Sequence, residues 1–105
     1  MKILFDQGTP APLRQALTQH AVVTAFEMGW SDLDNGVLLK AAEAQFEAFI
    51  TTDKKLRYQQ DLKGGRLAIL VLPTTSWPTI RKYLPQIVSA VAQLRAGDVR
   101  EPTFM

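Results

Sequence analysis

The strongest constraint on this chain is the alternation of short apolar runs with stretches of helical periodicity. Ile3-Leu4-Phe5, Ala21-Val22-Val23-Thr24-Ala25-Phe26, Phe49-Ile50-Thr51-Thr52 and Leu67-Ala68-Ile69-Leu70-Val71-Leu72 are short, continuous and rich in β-branched or large apolar residues. Such runs read as strands buried on both faces, the habit of a parallel sheet. Between them, Thr9-Pro10 reads as an N-cap followed by proline at the first helical position, and Leu13, Ala16 and Leu17 recur at helical spacing. A second helix, opened by Asp34 or Asn35, carries Leu38, Leu39, Ala42 and Phe46 on one face. Lys54 to Gln60 has the length of a short helix, and Gly64-Gly65 marks a turn. Ser76-Trp77-Pro78 opens the last helix, whose stripe is Ile80, Leu84, Ile87, Val88, Val91 and Leu94, and Pro85 predicts a break near Tyr83. The order β-α-β-α-β-(α)-β-α predicts an α/β fold, a mostly parallel four-stranded sheet with helices on both faces. The expected organisation is one domain over residues 1–96 and a loosely held tail, 97–105, after Gly97.

Composition narrows the chemistry. A chain of 105 residues with no cysteine has no disulfide, no thiolate zinc site and no cysteine nucleophile. A single histidine, His20, does not build a histidine-rich metal centre. Any metal must then sit among carboxylates, which selects a hard ion such as Mg2+ or Mn2+. The formal charge of +2 gives weak overall steering, so the placement of charge matters more than its sum. No apolar stretch is long enough to cross a bilayer, and Asp6 comes too early for a secretory signal, so a cytoplasmic location is expected. Neither a Walker loop nor a G-x-G-x-x-G stretch occurs.

Two of the expected strands end in an acid, Asp6 after the first and Asp53 after the third. In an open parallel sheet, ligands bind beyond the carboxyl ends of the strands, where strand order reverses. A doubly wound start sets the first and third strands side by side, about 4.8 Å apart, so their terminal carboxylates can share a cation. Glu27, past the second strand, is a third candidate ligand on the same edge. The plainer readings are local ones: Asp53 as a helix cap, Asp6 as a turn former, and Glu27 as a surface acid. Lys54, Lys55 and Arg57 follow Asp53 directly, with Lys63 and Arg66 beyond. Cations beside a carboxylate pair suit a phosphodiester, whereas a solvated charge run is the ordinary alternative. Tyr58 is a candidate for base stacking or for packing. His20 precedes the second strand and so belongs to the opposite edge, which rules out a Ser-His-Asp triad with these acids.

Met1-Lys2-Ile3-Leu4-Phe5-Asp6-Gln7-Gly8 and Phe49-Ile50-Thr51-Thr52-Asp53-Lys54-Lys55-Leu56 resemble the small PIN-like nucleases. The shared pattern is a strand ending in Asp, a proline-started helix, and a later strand ending in Thr-Asp before a basic residue. Ala25 to Ser31 and Asn35 to Leu39 are similar to the family's middle loop and helix, so the likeness runs to the last helix. The resemblance implies a compact PIN-like three-layer sandwich and Mg2+- or Mn2+-dependent ribonuclease chemistry. It also implies, for many members, the toxin role of a toxin–antitoxin pair. By position it makes Asp6 and Asp53 metal ligands. Many members place an acid where this chain has Asn35-Gly36-Val37, with Asp32, Asp34 or Glu27 as the available substitutes, and Asp61 is the nearest match to a further acid.

Two functional expectations follow. The first is a metal-dependent endoribonuclease in which Asp6 and Asp53 are catalytic, Glu27 completes the metal site, and Lys54, Lys55 and Arg57 hold the RNA backbone, with an antitoxin as protein partner. The second is a catalytically degenerate PIN-like module that binds RNA or a protein. A phosphoacceptor receiver domain is a third option, disfavoured because a single acid, not a pair, follows the first strand. The apolar last helix and Phe104-Met105 are compatible with a homodimer.

Overall fold

Strand β1 (Lys2–Phe5) lies inside the sheet, and its three apolar side chains are fully buried. The computed structural model describes residues 1–56 and 65–104. After β1 come a 3-10 helix (Ala11–Ala16), β2 (Ala21–Thr24), α1 (Asn35–Gln45), β3 (Ala48–Thr51) and β4 (Ala68–Val71). The chain then forms α2 (Trp77–Lys82), α3 (Leu84–Ala92) and β5 (Val99–Arg100). The sheet order is β2-β1-β3-β4-β5, and every pairing is parallel.

Alternate residues along each strand face opposite sides, and the core divides accordingly. Ile3, Phe5, Ile50, Ala68 and Leu70 pack under the 3-10 helix, α2 and α3 with Leu13, Leu17, Ile80, Ile87 and Val91. Leu4, Phe49, Ile69 and Val71 face α1 and pack with Leu38, Ala42 and Phe46. Helices thus cover both faces, as the alternation of runs requires.

Three details depart from the sequence reading. The sheet has five strands, not four. The left-handed turn at Gly97 (φ 82°) lets its N–H reach Arg66 O, and Asp98 O accepts from Ile69 N at 2.7 Å, which lays Val99–Arg100 along β4. Part of the expected loose tail is therefore built into the sheet. The residues beyond it are also held: Phe104 stacks on Tyr83 with ring centroids 4.6 Å apart, and Gln86 Nε2 donates to Thr103 O at 2.7 Å.

The first helix is a short 3-10 segment, and Thr9 does not cap it; Pro10 occupies the cap position with no side-chain cap bond. The last helix breaks at Tyr83, as Pro85 predicts, because proline has no N–H to continue the ladder. Asp34 caps α1 by accepting from Val37 N, and Ser76 caps α2 by accepting from Thr79 N. The short helix expected over Lys54 to Gln60 lies largely outside the described residues, as do Arg57, Tyr58, Asp61 and Lys63. Among the described residues, no helix is long and apolar enough to cross a membrane.

Candidate functional site

From β1 the chain crosses to one side to form β2, then returns past β1 to form β3 on the other side. The carboxyl ends of β1 and β3 therefore flank the point where strand order reverses, and both expected acids are there. Asp6 N donates to Ile50 O at 3.1 Å, which carries the β1–β3 ladder one residue past Phe5 and sets Asp6 beside Thr51.

Asp6 Oδ1 accepts from Thr9 N at 3.0 Å and from Thr9 Oγ1 at 2.6 Å. Its Oδ2 accepts from Thr51 Oγ1. The same Thr51 oxygen accepts from Asp53 N at 3.0 Å. Asp53 Oδ1 in turn accepts from Lys55 N at 3.0 Å, and Oδ2 accepts from Asn35 Nδ2 at 2.9 Å. A continuous relay, Thr9–Asp6–Thr51–Asp53–Asn35, thus joins residues from three separate stretches of chain. Each carboxylate also closes a local turn, Thr9 N on Asp6, which is its plainer reading, and Lys55 N on Asp53, whose plainer reading is a helix cap.

The relay is rigid at its hydroxyls and open at its acids. Thr51 is 1% exposed and Thr9 6%, whereas Asp6, Asp53 and Asn35 are half-buried. Gly8 brings the loop after β1 against β3: a Cβ there would lie 2.6 Å from Thr52 Oγ1. The turn holding Asp6 thus sits close against the strand end.

Glu27, the third candidate ligand, has partners of its own. Its carboxylate is clamped by Arg14, with Nη2 on Oε1 and Nη1 on Oε2, and Oε1 also accepts from Thr24 N at 2.9 Å. The Arg14 bonds first, and the Thr24 amide second, hold its pKa below the usual glutamate value. No group of three or more acidic, histidine or cysteine side chains suited to a metal occurs among the described residues. Lys54 and Lys55 are exposed immediately after Asp53, and Arg57 lies outside the described residues. His20 sits at the far edge, where Met1 N lies 3.1 Å from its Nδ1. Partial burial first, then the Met1 ammonium, lowers its pKa, with Glu47 opposing.

Three site residues have no such role in the sequence alone. Thr51 reads there as a strand residue and Thr9 as a cap. Asn35 marks the position where an acid is replaced, and in the structure its amide donates to Asp53. The available signal was threonine at a strand end next to an acid, a placement that brings a hydroxyl and a carboxylate to one edge. Comparison with family models, with curated proteins and with solved structures finds no significant match to this chain.

Proposed function

We propose that this protein is a divalent-metal-dependent phosphodiesterase of PIN-like type acting on RNA. The supporting observation is that Asp6 and Asp53 end adjacent parallel strands at the reversal point and share Thr51. The residues fit a hard cation. The two carboxylates are all-oxygen donors, the kind that bind Mg2+ or Mn2+ through one or two carboxylates plus water and phosphate. Asp6 and Asp53 would hold the ion. Bound there, such an ion supplies Lewis-acid stabilisation of charge on a phosphoryl oxygen and lowers the pKa of a water.

The chain's own groups do the positioning. Thr51 and Thr9 fix the Asp6 carboxylate, Thr51 and Lys55 fix the Asp53 turn, and Asn35 orients Oδ2 of Asp53. The ammonium groups of Lys54 and Lys55 are exposed beside the site and are suited to phosphate contacts. A toxin role with an antitoxin partner belongs to this reading through the PIN-like resemblance alone.

Asp6→Asn and Asp53→Asn are each expected to abolish Mn2+-dependent cleavage of RNA while leaving the circular dichroism spectrum unchanged. Undiminished cleavage by both purified variants would overturn the proposal. A second reading, a degenerate module that binds RNA or a protein without cutting, draws on one observation: an amide, Asn35, stands where an acid would complete the set. Calorimetry with Mn2+ separates them, because the degenerate site gives no heat that depends on Asp6 and Asp53.

A further inference from the structure

β2 is an edge strand of the sheet, and the run that contains it does nothing to guard that edge. Ala21-Val22-Val23-Thr24-Ala25-Phe26 carries no charge and no proline, and half of it is β-branched. Uncharged runs of this length and β-propensity add to one another edge to edge unless a charge, a bulge or a covering segment stops them. The guard comes from outside the run.

Ala21 N donates to Met1 O at 2.9 Å and Ala25 N to Phe5 O at 2.8 Å, so Ala21, Val23 and Ala25 turn their backbone groups toward β1. Backbone direction alternates along a strand, which turns the N–H and C=O of Val22 and Thr24 outward. Both outward groups of Thr24 are taken within the chain. Its N–H donates to Glu27 Oε1 at 2.9 Å, and its C=O accepts from Met28 N at 3.2 Å. The Glu27 carboxylate thus stands where the carbonyl of an added strand would stand. Arg14, from the 3-10 helix, holds that carboxylate through Nη1 and Nη2, and Glu27 N donates to Thr24 Oγ1 at 3.1 Å. With side chains 39% and 47% exposed, Arg14 and Glu27 form a surface pair, which by itself adds little to stability. Its effect is on what can approach the strand. Val22 has no such plug: among the described residues, none outside the sheet ladder bonds its N–H or C=O.

We infer that β2 is a latent self-association edge, and that the Arg14–Glu27 clamp keeps a second copy of this chain from pairing with it. A second copy is the occupant because the run is self-complementary. Two β2 strands related by a two-fold axis pair antiparallel, with Val22 and Thr24 of each copy offering their outward groups to the other. An RNA strand has no ladder of amides and carbonyls to set against this edge, and a charged peptide meets no charge on the run. The inference is independent of the phosphodiesterase reading, since it uses none of Asp6, Asp53 or Thr51.

The test is size-exclusion chromatography with light scattering over a concentration series, with amide hydrogen exchange read at Val22 and Thr24. The parent chain is expected to be a monomer whose Val22 amide exchanges freely. Glu27→Ala is expected to double the apparent mass at concentrations where the parent stays single, and to protect the Val22 amide in the dimer. A folded Glu27→Ala chain that stays monomeric overturns the inference. So does a Glu27→Ala dimer whose Val22 amide exchanges as fast as in the parent, which places the contact elsewhere, the exposed Phe26 included. A parent that is already a dimer with Val22 protected also overturns it, because the clamp then holds nothing apart. If Glu27→Ala does not fold, Arg14→Ala, which leaves the strand and its turn unchanged, takes its place with the same expected and overturning outcomes.

Discussion

Thr51 is the residue on which the site turns. Its hydroxyl donates to one carboxylate and accepts from the backbone of the other acid, while its own side chain is almost fully buried. Thr51→Val keeps the shape but leaves Asp53 N without its acceptor and Asp6 Oδ2 without its donor. Each such loss costs about 1–3 kcal/mol. Denaturant unfolding is expected to show the two losses together, about 2–6 kcal/mol, and Mn2+ titration a weakened affinity, while Thr51→Ser restores both. Unaltered Mn2+ affinity in Thr51→Val would mean that the relay is structural only. At this scale the two aspartates were legible because each terminates an apolar run, a signal carried by neighbouring residues. The partnership of Thr51, Thr9 and Asn35 was not legible, because it depends on which strands lie side by side, and residues 9, 35 and 51 are far apart in sequence.

Elements were legible where local chemistry decides them. The buried runs at β1, β3 and β4, the caps Asp34 and Ser76, and the break before Pro85 all depend on residues within a turn of one another. β5 was missed for the opposite reason. Two residues, Val99 and Arg100, show no periodicity, and they become a strand only because the Gly97 turn delivers them to the open side of β4. Removing residues 98–105 would strip Val99 from the α1-side core and Phe104 from Tyr83, and would expose the β4 edge. The expected cost is about 2 kcal/mol for two half-buried side chains, seen as a fall in Tm on the order of 10 °C. A truncated chain with the parent's Tm would show that β5 adds nothing to the sheet.

For the molecule as a whole, the alternation of runs carries the α/β class and the parallel sheet, and the doubly wound start carries the adjacency of β1 and β3. A cation held between two strands binds the folded chain and not the unfolded one, so it stabilises the entire domain by mass action. Mn2+ at a hundredfold excess over its Kd is expected to add about 2.7 kcal/mol and to raise Tm by on the order of 10 °C. Asp6→Asn is expected to show no such rise; an equal rise in that variant would place the ion elsewhere. The order in which the strands are made has a consequence of its own. Translation delivers β1 first, lays β2 on one flank, and supplies β3 for the other flank only when about half the chain has been synthesised. Until then Asp6 has no counterpart, so the proposed metal site is assembled only with the docking of one late strand.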